Sequence, residues 1–163
     1  MAEAVKHSLS FLLSEHDELD EFFNKHQRAL LMRDLDGAVA MLATFENALS
    51  RHIAYEDEVL LPLFAAKEAE TEGATLPIFH AEHAKLRQMC AKLAQEALNL
   101  YDSCDILGSI LNLLDEEALF KGLFAHHAQR ETNLLFPRLD ACTTELERVK
   151  AMEMHAGRAD YVA

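Results

Sequence analysis

The sequence predicts an all-α protein: an antiparallel up-down-up-down four-helix bundle with a short C-terminal helical tail. Three observations carry that expectation. Glycine and proline are scarce, with Gly 5 and Pro 3 in 163 residues, while Ala, Leu and Glu abound, so propensity leans to helix. Four long stretches place apolar residues at alternating steps of three and four, the period of helices that turn one face to a shared core. The breaks between them are short, and short connections make sequential neighbours antiparallel.

The helices are expected at roughly 4–32, 35–69, 76–102 and 105–140, with ends uncertain by about 2–4 residues. The first follows a seam of Leu9, Leu12, Leu19 and Phe23, and stops at Arg33-Asp34-Leu35-Asp36-Gly37. Leu42, Phe45, Leu49, Val59 and Leu63 form the seam of the second, which ends before Glu72-Gly73-Ala74-Thr75-Leu76-Pro77. Leu76, Phe79, Leu86, Cys90 and Leu93 line the third; Phe120, Phe124 and Leu134 line the fourth, beyond the break at Tyr101-Asp102-Ser103-Cys104-Asp105. Thr75 and Ser103 are the expected N-caps. Pro62 and Pro137 mark kinks or helix ends, because an interior proline removes a backbone hydrogen bond. The bundle is read as one domain, 1–142, of two similar hairpins at about 4–69 and 76–140. A tail, 143–163, opens on Thr144-Glu145-Leu146-Glu147, a capping box able to start a short helix.

Half of the residues are apolar, enough for one core and too little for two independent domains. A formal charge of −13 without a Lys/Arg cluster argues against a nucleic-acid partner. Cys90, Cys104 and Cys142 are odd in number and carry no Cys-x-x-Cys, so they suggest neither a disulfide framework nor a zinc site. Phe11-Leu12-Leu13 is too short for a signal-peptide core, and no apolar run approaches the roughly 20 residues of a membrane span. The expected location is cytoplasmic, with no membrane partner.

The chemistry lies in a repeat. His52-Ile53-Ala54-Tyr55-Glu56 continues to Leu61-Pro62, and His127-Ala128-Gln129-Arg130-Glu131 continues to Phe136-Pro137, with His, Glu and Pro at identical spacing. Upstream of each stands a second matched pair, Glu15-His16-Asp17-Glu18-Leu19 and Glu82-His83-Ala84-Lys85-Leu86. Residues four apart share a helix face about 5–6 Å apart at Cβ, close enough to share a metal, but also the spacing of an ordinary exposed pair. Burial decides between them. His16, His52, Glu56, His83, His127 and Glu131 all fall on the apolar seams, so four imidazoles and two carboxylates point inward. Bound cations remove the cost of burying them; a metal-free His–Glu network is the alternative.

Six such ligands exceed the needs of one tetrahedral zinc and are the wrong chemistry for calcium. Two six-coordinate metals fit, iron first, with manganese or zinc as substitutes. His80 and His126 neighbour the candidate ligands but stand about 100° off the seam, as alternative or supporting groups. Tyr55 is a third such residue, a core tyrosine whose hydroxyl could also reach the metals. His7, His26 and His155 have no partner pattern and are expected at the surface, and Asp57 and Glu58 are expected to point elsewhere on the helix, with one of them a spare ligand as the alternative.

The order His, His-x-x-x-Glu, His, His-x-x-x-Glu, carried by these residues from about Leu9 to Leu139, resembles the hemerythrin-like family, the HHE cation-binding domain. The resemblance implies two iron ions with a bridging oxo or hydroxo group, meeting O2, NO or H2O2. Oxygen-carrying members place a further histidine four residues before the one at His83 and end on His-x-x-x-x-Asp; here Phe79 holds the first position and the last pair is His127-x-x-x-Glu131. A missing fifth histidine leaves open metal positions, which favours a peroxide- or NO-consuming oxidoreductase over reversible O2 storage. The alternative is a non-catalytic O2, NO or iron sensor or storage module. The chain is expected as a monomer or homodimer, and its electron donor is not legible.

Overall fold

A computed structural model of the chain describes residues 7–159. Positions 4–6 of the expected first helix and 160–163 of the tail lie outside the described residues.

Ser8 accepts a hydrogen bond from the Ser10 amide at 3.1 Å and opens a 3-10 turn, Leu9–Leu12, that leads into α1, Leu13–Leu31. The second hairpin arm starts at α2, Leu35–Tyr55, continues through a π-turn, Glu56–Leu60, and ends in α3, Leu61–Ala66. After a tight turn comes α4, Leu76–Asn99, extended by a 3-10 turn, Leu100–Asp102. The last arm repeats the plan of the second: α5, Ile106–Arg130, a π-turn, Glu131–Leu135, and α6, Phe136–Cys142. A seventh helix, α7, covers Glu145–Ala159. The described residues form a helical bundle in which α1 packs on α2, α4 on α5, α2 on α4 and α1 on α5. None of these helices is long and apolar enough to cross a membrane.

The caps differ from expectation in an instructive way. Asp34 and Asp105 cap α2 and α5, each accepting from the glycine amide three residues on, Gly37 and Gly108, at 3.0 Å. A Cβ at either glycine would come within 2.2 Å of the capping carboxylate, so Asp-x-x-Gly is a unit, and it occurs once in each hairpin. Ser103 is therefore not the cap of the last helix. Thr75 stands at the N-cap of α4 without a capping bond; the Glu70 carboxylate takes the Leu76 amide instead, at 2.9 Å. The capping box at α7 forms: Glu147 accepts from the Thr144 amide at 2.8 Å, and the Thr144 hydroxyl from the Glu147 amide at 3.3 Å.

The two long arms do not end at their prolines. Leu61 N–H reaches back five residues to Glu56 O, and Phe136 N–H to Glu131 O, so each helix widens by one residue just before Pro62 or Pro137. A proline lacks the amide for the usual bond and its ring clashes with the carbonyl four residues earlier. Widening the turn accommodates both, and the axis runs on. Each widened turn begins at the glutamate of a His-x-x-x-Glu pair.

Two apolar clusters fill the interior. One holds Phe23, Phe45, Leu49, Leu86, Phe120 and Phe124; the other holds Leu12, Tyr55, Phe64, Phe79, Leu135 and Phe136. The inward histidines and glutamates lie along the same helices, at the junction between them.

Candidate metal centre

Each hairpin contributes three polar side chains. His16 comes from α1, His52 from the last turn of α2 and Glu56 from the start of its π-turn; His83 comes from α4, His127 from the last turn of α5 and Glu131 from the second π-turn. The structure brings all six together, and none is more than 7% exposed. They form two overlapping groups, His16, His52, Glu56 and Glu131, and Glu56, His83, His127 and Glu131, each with ligand atoms within 4.8 Å of one another.

The carboxylates belong to both groups because each divides its oxygens. Glu56 turns Oε1 to His52 Nε2 at 3.3 Å and Oε2 to His83 Nε2 at 3.1 Å. Glu131 turns Oε2 to His16 Nε2 at 2.9 Å and Oε1 to His127 Nε2 at 2.8 Å. Two imidazole nitrogens and two carboxylate oxygens therefore converge at each of two points.

The donor set fits a pair of metal ions. Both oxygens of Glu56 and of Glu131, with Nε2 of His83 and His127, are buried and make no well-aligned hydrogen bond, despite these short separations. Orphaned buried polar atoms are costly, and six of them around one cluster call for a cation. His16 Nε2 and His52 Nε2 stand 3.2 Å apart. Two nitrogens each about 2.1 Å from one metal sit about 3.0–3.4 Å apart, so the spacing is that of ligands sharing an ion.

The opposite ring nitrogens are held by carboxylates. His52 Nδ1 lies 2.8 Å from Glu15 Oε2, His83 Nδ1 2.6 Å from Asp57 Oδ1 and His127 Nδ1 3.0 Å from Glu82 Oε2. Such a partner fixes the tautomer that leaves Nε2 free for a metal and makes that nitrogen more basic. Glu15 and Glu82 are the residues just before His16 and His83, and each reaches across to the histidine of the other helix in its hairpin. The repeated Glu-His dipeptide was their only sequence signal. Asp57 points at the site through His83, contrary to the expectation that it points elsewhere.

When no metal is bound, protons must balance the buried carboxylates. Burial would lower the His52 pKa, but the charge of Glu56, the Glu15 hydrogen bond and the charge of Glu131 outweigh it and raise it to about 9. At His127 burial acts the same way and is overcome by the charge and contact of Glu131, with help from Glu56 and Glu82, to reach about 12. Burial pushes Glu56 up, yet the charge of His52 and the contacts of His127 and His83 hold it well below the usual carboxylate range. His52 and His127 therefore carry protons at neutral pH when the cluster holds no cation.

The remaining candidates fall outside this cluster. His80 is exposed, with Nδ1 3.3 Å from Asp57, and groups with Asp57 and His83 rather than with the glutamates. His126 accepts from Arg130 Nη2 at 3.0 Å at the surface. Tyr55 is buried, but its hydroxyl donates to Ala151 O at 2.9 Å, so it is spent on α7. His7 is exposed on Glu145, as expected. Two surface expectations are overturned. His26 is fully buried, with Nδ1 on Ala38 O at 2.8 Å and Nε2 on the equally buried Glu117 at 2.6 Å; the pair stands about ten residues, or roughly 15 Å, along α1 from His16. His155 is only a quarter exposed and bonds to Glu15.

A cavity of about 360 Å³ opens beside the centre, lined by Glu15, Arg51, His52, Tyr55, His155 and Arg158.

Compared with known families, residues 7–139 match the model described as Hemerythrin HHE cation binding domain. No curated protein and no solved structure matches the chain.

Proposed function

Since the chain belongs to the hemerythrin HHE cation-binding family, we propose that its two His–Glu groups hold a pair of iron ions and that this pair reacts with small oxidants, H2O2 or NO ahead of O2. The observation that carries the reading is the divided orientation of Glu56 and Glu131, each giving one oxygen to each histidine pair. A single-metal site has no use for that arrangement. Manganese or zinc would fit the same donors. The antiparallel up-down-up-down order, which sets two facing hairpins around one centre, is part of the same reading, as are His16, His52, Glu56, His83, His127 and Glu131 as the ligands.

A pair of irons held by these residues would supply redox chemistry toward a small oxidant. The chain supplies the rest. Glu56 and Glu131 clamp both positions, and Glu15, Asp57 and Glu82 hold three of the four imidazoles in the tautomer that presents Nε2. Apolar rings keep bulk water out: His16 packs near Phe124 and Phe136, with centroids at 6.1 and 6.4 Å, and Phe79 stands 6.5 Å from His127. Phe79, fully buried four residues before His83, adds no donor to the six side chains, which would leave room at a bound metal for a small oxidant. Such room would favour turnover of peroxide, two H2O2 giving two H2O and one O2, over reversible O2 storage.

The test is metal analysis and a near-ultraviolet spectrum after reconstitution with iron, followed by oxygen evolution on adding H2O2. His52→Ala and Glu131→Ala should abolish it. Protein that takes up no iron would overturn the metal reading. Reversible uptake and intact release of O2, without peroxide consumption, would overturn the preference for turnover.

A further inference from the structure

The two halves of the centre are built from one repeated plan, yet their supports differ. In the second hairpin Arg130, three residues after His127, reaches Glu82 Oε1 with Nε at 3.1 Å and Nη2 at 3.0 Å. The carboxylate that orients His127 is therefore itself held by a guanidinium from the same helix. In the first hairpin the position three after His52 is Tyr55, which brings no charge and sends its hydroxyl to Ala151 O of α7. Glu15, the counterpart of Glu82, receives nothing from that position. Its second oxygen is met by His155 Nε2, from α7. Tyr55 also seats that imidazole: the two rings pack edge to face with centroids 4.8 Å apart. Phe11 also packs edge to face with it, centroids 5.1 Å apart, and Arg158, one turn on, pairs with Glu58.

The asymmetry extends to the remaining two histidines. Asp57, next to Glu56, orients His83. The corresponding residue next to Glu131 is Thr132, whose hydroxyl donates to Ala128 O within its own helix. The His16/His52 half thus draws on a helix outside the bundle for a support that the His83/His127 half builds from the bundle itself. That helix, Glu145–Ala159, lies wholly beyond residues 7–139, the segment that matches the family.

We propose that α7 is a working part of the metal centre, with His155 a positioning residue that does for Glu15 what Arg130 does for Glu82, so that α7 governs how tightly the His16/His52 half holds its metal. This rests on the metal-pair reading above. It makes the two ions inequivalent, one secured within the bundle and one through a helix that also forms a wall of the cavity beside His52.

The experiment uses the full chain loaded anaerobically with ferrous iron, its iron content measured, and release then followed into an excess of a chromogenic ferrous chelator. In His155→Ala, one of the two irons should leave several-fold faster than in the unaltered protein, below the about 10–100-fold cost of losing the carboxylate behind a ligand outright, while the other keeps its rate. His155→Arg should restore slow release by returning a hydrogen-bond donor to Glu15. Arg130→Ala should produce the mirror pattern, and the double variant should speed both phases. A merely structural role for α7 would accelerate both irons together, in step with a fall in the unfolding temperature of the metal-free variant, and Arg would not rescue it. That result, or unchanged release from His155→Ala, overturns the proposal and leaves the metal pair standing. Absence of iron from the unaltered protein overturns both.

Discussion

Loading the centre with a divalent metal at pH 7 is expected to expel about two protons from the chain's own imidazoles, since a metal-bound imidazole must give up the proton on its ligating nitrogen. His52, raised to about 9, and His127, raised to about 12, are both protonated at that pH. Deprotonating His52 alone weakens apparent affinity at pH 7 by about 100-fold, one factor of ten for each unit between pH and pKa. Apparent affinity should therefore climb by about two decades per pH unit from 7 towards 9, and by about one beyond it. Stability of the metal-free protein runs the other way. The folded pKa of His52 lies above its ordinary value of 6.5, so its contribution is complete below pH 6.5 and is lost as pH rises through about 9, on the order of 3 kcal/mol at about 1.36 kcal/mol per unit. Calorimetric titration with zinc in two buffers of different ionisation enthalpy counts the protons directly, and His52→Gln should release about one fewer. Binding without proton release at pH 7 would refute the charge balance assigned to the buried glutamates.

Glu131→Gln should weaken both halves of the centre, because its two oxygens serve different histidine pairs, whereas His83→Ala should leave about one metal per chain by the count of remaining ligands; metal analysis after dialysis separates the two. Glu117→Leu strands the buried His26 and should cost about 3–5 kcal/mol in urea unfolding, while His26→Leu with Glu117→Leu should recover most of that loss. Phe79→His places an imidazole four residues before His83 and should cut peroxide consumption at least about tenfold by filling an open position, with O2 evolution as the readout.

The internal repeat made much of the centre legible. His52 and Glu56, like His127 and Glu131, stand on one helix face by spacing alone, and the apolar residues three and four positions away oriented that face inward. Glu15 and Glu82 were visible as a repeated dipeptide but not interpretable. A residue one step from a ligand points about 100° away from it, and whether it meets anything depends on the neighbouring helix. His26 escaped for the same reason. Its partner Glu117 lies 91 positions away, and no periodicity within α1 announces a buried acid on α5. The π-turns were half legible: the common distance from glutamate to proline marked a shared distortion, but only the backbone showed the helix widening rather than stopping.

By itself the sequence determined the helices, the family and the six side chains that meet, because each follows from local spacing on a helix and from a motif stated twice. Tertiary structure alone decided how the six are shared and supported. The division of each carboxylate between two histidine pairs, the acids behind the rings, and the seating of His155 against Glu15 are contacts between different helices, and helical periodicity fixes which way a side chain points but not what it meets.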